Sequence, residues 1–214
     1  MRRRALLASN YISDAPPISN PQAPIGVSIA TQEGNFIPYA EWAEQGTAVG
    51  VAVRNTRRTL ILSLTTFSVK WSTTTGDVDG VPTFSSTTAL GNYVDGETYT
   101  RALASASVSS SSTIAAVALS KTMIVGEKVL TGYLPSTGEW KMVEALAGDI
   151  EAAYSVLGIT FAGNPTNYWS SCEKAAGSVW ICAWTIGASI KWTALSKTNA
   201  RVLRPFFLYE NYEQ

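Results

Sequence analysis

A chain of 214 residues with 46% apolar side chains is long enough for one substantial core, and its 15% charged residues fall short of the roughly 25% of an ordinary domain, a neutral surface that suits packing into an assembly. Sixteen Lys and Arg balance sixteen Asp and Glu, so no net field draws the chain to nucleic acid or anionic lipid, and no nucleic-acid partner is expected. The chain contains no histidine, which removes the commonest general base and every Ser-His or Cys-His nucleophile pair.

Met1-Arg2-Arg3-Arg4 is followed by only Ala5-Leu6-Leu7-Ala8, shorter than the roughly 7–15 apolar residues of a signal peptide core, so synthesis in a cytoplasm without secretion is expected. No run approaches the roughly 20 apolar residues of a membrane span. Pro16, Pro17, Pro21 and Pro24 oppose both helix and ladder, so residues 1–25 read as an extended arm, either anchoring on a partner chain or trailing as a tail.

From Ile25 short strands follow, at 25–29 and 36–39. Ala48–Val53 and Thr59–Leu64 read as a hairpin closed by Arg54-Asn55-Thr56-Arg57-Arg58, whose arginines read as solubilising turn residues. Residues 65–97 are rich in Ser, Thr, Gly and Asp with isolated Phe67, Trp71, Phe84 and Tyr93, an irregular excursion pinned by buried rings. Within it Asp77-Val78-Asp79-Gly80 resembles the opening of a calcium loop, but Thr88 stands where the twelfth-position Glu is needed, so no metal or other cofactor is expected.

Small residues dominate 97–119, giving one or two short helices interrupted by Ser109–Ser112. Ser136 and Glu139 stand in capping-box spacing, with Leu134 and Trp140 placed to clamp the chain entry. A helix over about 137–147 follows with Trp140, Val143 and Leu146 on one face, then a second helix capped by Asp149 and ended by Gly158. The last 50 residues return to β. Val179–Ile186 divides by period two into Trp180, Cys182 and Trp184, facing the core, and Ile181, Ala183 and Thr185 opposite. Ser189–Thr193 and Arg201–Leu208 make two further strands. Cys172 and Cys182, ten apart, lack metal-type spacing and read as thiols, with a disulfide between them as the alternative.

The order Gly-Tyr-Leu-Pro-Ser-x-Gly-Glu-Trp (132–140), Tyr168-Trp169-Ser170-Ser171-Cys172-Glu173, Val179-Trp180, Trp184, Gly187, Lys197 and Val202-Leu203-Arg204-Pro205 resembles a domain family of gut bacteria and their tailed phages. That family is related to the formylglycine-generating enzymes and to the variable proteins of diversity-generating retroelements. The resemblance covers roughly 26–208, with Cys172 in place of the usual Thr and Leu203 before Arg204 as departures. It implies an α+β, C-type-lectin-like fold with short twisted antiparallel strands and two to three helices. The expected division is an arm (1–25), a β-rich N-terminal part (26–75) and a lectin-like core (76–214). Tyr168, Trp169, Trp180 and Trp184 are expected as core anchors, Ser170 and Ser171 as turn residues bonding backbone, and Arg204 as the clamp of the terminal strand.

The resemblance further implies a phage virion surface protein, a head fibre, capsid decoration or tail-associated protein. It would be held to a capsid or tail protein by its arm and closed as a homo-oligomer, trimer first and dimer second. The alternative is a bacterial surface lectin or adhesin without a virion role. An enzyme of the formylglycine-generating kind is disfavoured because neither cysteine matches that group's pair, although carboxylate-only glycoside hydrolysis stays open. In the variable proteins the stretch made by this strand and the turn that follows it supplies the exposed residues that meet the ligand. That assigns Ile181, Ala183, Thr185, Ser189, Lys191 and Trp192 to a binding face for a cell-surface glycan or receptor, with Trp192 alternatively covering an interface or the core edge.

Overall fold

The structure, a computed structural model, describes residues 22–106, 113–163, 165–187 and 190–211. Residues 1–21 of the expected arm and Ser189 of the expected binding face lie outside them. In the strands β1 (Gly26–Thr31), β2 (Phe36–Pro38), β3 (Ala48–Arg54) and β4 (Arg58–Ser63), period-two alternation sends Val51, Val53, Leu60 and Leu62 to one face and Ala52 and Ile61 to the other. The hairpin turn is set by Asn55, whose side-chain oxygen accepts from the amides of Arg57 (2.8 Å) and Arg58 (2.9 Å).

Downstream come β5 (Phe67–Lys70), α1 (Gly96–Ser105), α2 (Ile114–Leu119), β6 (Thr122–Val125), β7 (Lys128–Thr131), α3 (Thr137–Glu144) and α4 (Ala147–Val156). The chain closes with β8 (Thr166–Ala175), β9 (Ser178–Trp184), β10 (Lys191–Ser196), β11 (Ala200–Leu203) and β12 (Phe206–Asn211). The first sheet has the order β12-β4-β3-β1-β2 and the second β10-β9-β8-β11-β5, with β6 and β7 a separate hairpin. Apart from the parallel contact of β11 with β8, the pairings are antiparallel. The architecture is α+β, with four α-helices among the described residues rather than two or three.

Three apolar cores follow from the alternation. Trp140 and Val143 of α3, with Ile150, Ala153 and Tyr154 of α4, share one core with Val51 and Leu60 of the first sheet and Tyr168, Cys182 and Trp184 of the second. On the far side of the second sheet, Trp169, Val179, Ile181 and Leu203 pack with Trp71, Leu103 and Ile114 under α1 and α2. On the far side of the first sheet, the β6–β7 hairpin covers Ala52, Ile61 and Phe207 with Met123, Val125 and Leu130. Segment 26–75 and the later chain therefore share cores, since β12 pairs with β4 and β5 pairs with β11. Ala23 is fully buried in the third core, so the last residues of the expected arm belong to the fold.

Several local expectations are corrected. Arg201–Leu208 is not one strand: Leu203 ends β11 beside Phe67 and Phe206 opens β12 beside Leu62, so the chain changes sheets at Arg204-Pro205. Proline supplies no amide for a ladder there, and its carbonyl instead accepts from the Ser63 amide at 3.0 Å. Asp149 lies in the first turn of α4 and accepts from the Tyr39 hydroxyl at 2.7 Å, while Leu146 stands at the cap. Leu134 and Trp140, expected to clamp the chain entry, are both buried and enter different cores. The excursion at 65–97 contains a regular strand, β5, that forms an edge of the second sheet. Arg58 is buried rather than a turn residue in solvent. No helix among the described residues is long and apolar enough to cross a membrane.

Candidate functional site

The residues assigned to a binding face do not share one face. Ile181 is fully buried in the core beneath α1 and α2, because β9 is covered on both sides, so its side chain cannot meet a ligand. Ala183 and Thr185 are half-buried and Lys191 is exposed. Lys191 pairs with Ala183 and Trp192 with Cys182, so Lys191 stands on the Ile181 side of the sheet and Trp192 on the Trp180 side. Glu151 fixes the end of β9: its carboxylate accepts from the Trp184 indole N–H at 2.7 Å and from the Gly187 amide at 3.1 Å. Gly187 itself takes φ +67°, where glycine is unstrained.

The motif residues are consumed in holding the fold. Ser136 and Glu139 form the capping box, with the Ser136 amide 2.8 Å from the Glu139 carboxylate and the Glu139 amide 3.2 Å from the Ser136 oxygen. Glu139 is buried, accepts from the Tyr133 hydroxyl at 2.8 Å and lies 3.6 Å from Arg58. Burial holds its carboxyl above the ordinary value against these bonds, and pushes the Tyr133 phenol well up. Gly138 meets the Tyr93 carbonyl through its amide at 2.8 Å, where a Cβ would collide with that carbonyl.

Two of the indoles donate to backbone carbonyls of other elements. Trp140 donates to the Trp169 carbonyl at 3.1 Å, and Trp169 to the Val69 carbonyl at 3.0 Å. Ser170 and Ser171 lie within β8 rather than in a turn, and Ser170 donates to the Trp180 carbonyl at 2.8 Å. Lys197 pairs with Glu173, both side chains fully buried, and Glu173 also accepts from the Val78 amide (3.3 Å) and the Thr83 hydroxyl (3.0 Å). That knot ties the loop containing Asp77-Val78-Asp79-Gly80 to β8. Arg204 donates to the carbonyls of Ser63 and Phe161, the latter at 2.8 Å, and so joins the sheet-changing corner to β4 and to the loop before β8.

What the sequence did not single out is a group of rings on the Trp192 side. Phe84 stacks on Tyr93 (centroids 4.7 Å apart) and on Trp180 (5.8 Å), with the Lys174 ammonium 5.2 Å from the Trp180 ring centroid. Half-buried Phe84, Tyr93, Tyr99 and Trp192 surround buried Trp180, Cys172 and Leu90. The Trp180 and Trp192 indoles donate inward, to the Phe84 carbonyl (2.9 Å) and Glu144 (3.1 Å). The signal was present in the isolated aromatics of 65–97; only Trp71 among them is fully buried. Such rings offer a rigid, amphipathic contact area to a sugar or a protein surface.

Both cysteines are free and buried. Burial pushes the Cys172 thiol up to about 11 and the Cys182 thiol higher still, so neither is a ready thiolate near neutrality.

No protein-family model and no curated protein matches the chain. Its fold is similar to that of a fimbrial protein from Bacteroides ovatus known from a crystal structure, with a TM-score of 0.55 at 15% sequence identity. The match covers 87% of this chain and 49% of the other, so the chain spans about half the length of that protein. At this identity the likeness is one of fold.

Proposed function

We propose that this chain is a display subunit of an extracellular assembly, attaching to a glycan or protein receptor through the ring group around Trp180 and working by binding rather than by turnover. The observation that carries the reading is the set of half-buried rings, Phe84, Tyr93, Tyr99 and Trp192, gathered on one side of the second sheet beside Lys174. The protonated, buried thiols support the non-catalytic part. The carrier is a phage virion, as a head fibre, capsid decoration or tail-associated protein. The motif resemblance at 132–140, 168–173 and 202–205 supports this and the C-type-lectin-like fold, with the N-terminal arm as anchor and a trimer as the first oligomeric state. A second reading, a bacterial surface adhesin, is favoured by the fimbrial fold neighbour.

The test is to locate the native protein by immunogold labelling of purified phage particles and of bacterial surfaces, and to measure binding of the purified chain to host cells. Label on particles together with saturable cell binding supports the first reading. Label on bacteria alone favours the second, and absence of cell binding overturns attachment.

A further inference from the structure

Three cationic side chains are buried among the described residues, and the fold treats one of them differently. Lys197 is neutralised by Glu173 and Arg58 lies beside Glu139. Arg204, only 2% exposed, forms no ion pair with a carboxylate among the described residues. Its guanidinium lies 4.7 Å from the Tyr154 ring, 4.5 Å from Phe161 and 5.6 Å from Tyr168, and its other polar neighbours are carbonyls and the hydroxyls of Tyr154 (3.1 Å) and Tyr168 (3.4 Å). Those phenols are no counter-charge: burial pushes Tyr154 up to about 12 and raises Tyr168 as well, so both stay neutral. The Nε of Arg204 is buried with no hydrogen-bond partner. Ring faces and carbonyl dipoles offset part of the cost of burying a cation, and its net charge survives.

Arg204 also lines an open cavity of about 560 Å³ together with Thr65, Thr66, Thr160, Thr166 and Tyr168. That volume lies within the range of small-molecule sites, roughly 300–1,000 Å³. We infer that this cavity is a binding site for a carboxylate-bearing sugar, the acid group set toward the uncompensated Arg204 charge and the hydroxyls engaging the threonines. The site lies apart from the ring group around Trp180. It rests on the reading that the domain binds ligands, and would give that binding a preference for acidic glycans.

The experiment is calorimetric titration of the purified full chain with glucuronate and with N-acetylneuraminate, against glucose, N-acetylglucosamine and acetate, at low and high salt. Arg204→Met can fail to fold, so the informative variant is Thr160→Glu, an exposed position where a tethered carboxylate competes for the same charge. The expected result is saturable binding of at least one acidic sugar, weakened by salt, and roughly tenfold or more weaker in Thr160→Glu, the scale of one charge-assisted bond. Neutral sugars or acetate binding as tightly as the acidic sugars, no saturable binding of either acid, or unchanged affinity in Thr160→Glu would each overturn the site. Because no cells are used, such a failure leaves cell attachment through the Trp180 rings standing.

Discussion

Lys197 donates to Glu173 at a point where both side chains are fully buried, and the same ammonium lies 4.9 Å from the centroid of the Trp71 ring. The pair joins the turn after β10 to β8 and, through the Val78 amide and Thr83 hydroxyl, to the loop before α1. Removing one partner leaves a buried charge uncompensated, which costs about 3–5 kcal/mol, more than the pair itself contributes. Lys197→Met is therefore expected to lower the urea unfolding free energy by about that amount, and the double variant Lys197→Met with Glu173→Gln to recover a good part of it. A double-mutant cycle checks this. Additive losses would show that the two residues act independently.

Glu139 gives stability a pH signature. Burial is the largest influence on its carboxyl and raises it despite the opposing bonds from Ser136 and Tyr133 and the Arg58 charge. A raised carboxyl means that the folded protein holds the proton more tightly than the unfolded chain does. The associated stability is complete below the ordinary carboxylate value and is lost as pH climbs through the raised one. Glu139→Gln cannot ionise, so the difference in unfolding free energy between wild type and variant should shift in favour of the variant across that window. Urea midpoints at a series of pH values measure it, and parallel curves would contradict it.

The capping box at Ser136 was legible because it depends on residues three apart, and the structure forms both of its bonds. The break at Arg204-Pro205 was not, since the apolar and β-rich run Arg201–Leu208 is compatible with one strand. What divides it is the distant β4, which takes Phe206 while β5 takes Leu203. Ile181 shows the same limit: period two separates the two faces of β9 but cannot say that both are covered, and α1 with α2 decides that from 60 or more residues away. Arg58 read as solvent-facing because its partner Glu139 stands on another element. The ring group near Trp180 brings together residues from 84 to 192, and no local pattern joins them.

The buried thiols should be slow to react. With Cys172 pushed up to about 11 and Cys182 further, labelling by a disulfide reagent at neutral pH is expected only after denaturant is added. Cys182→Ser places a hydroxyl in the apolar core with Tyr168 and Trp184 and should cost about 1–3 kcal/mol. Cys172→Ser should cost less, because the Thr137 hydroxyl already lies 3.5 Å from the sulfur and can pair with a serine. Neither variant should change cell binding. Rapid native labelling, or loss of binding in a folded double variant, would overturn a purely structural role for both.

Trp192 and Lys191 are chain neighbours on opposite sides of β10, and this separates their expected effects. The Trp192 ring is half-buried beside Trp180, with its indole 3.1 Å from Glu144, so Trp192→Ala removes contact area from the ring group. The loss of packing should stay near about 1 kcal/mol, since the ring is not enclosed. Binding to host cells, if it uses this group, should weaken by roughly thirtyfold, the scale of an aromatic hot spot of about 2 kcal/mol. Tyr93→Ala, which unstacks Phe84 from the other side, should act in the same direction. Lys191→Ala, pointing to the Ile181 side, should leave both stability and binding within experimental scatter. Dissociation constants for the three variants, alongside thermal unfolding, decide the matter. Normal binding by both aromatic variants would move the recognition surface away from Trp180, and a defect confined to Lys191→Ala would place it on the opposite side of the sheet.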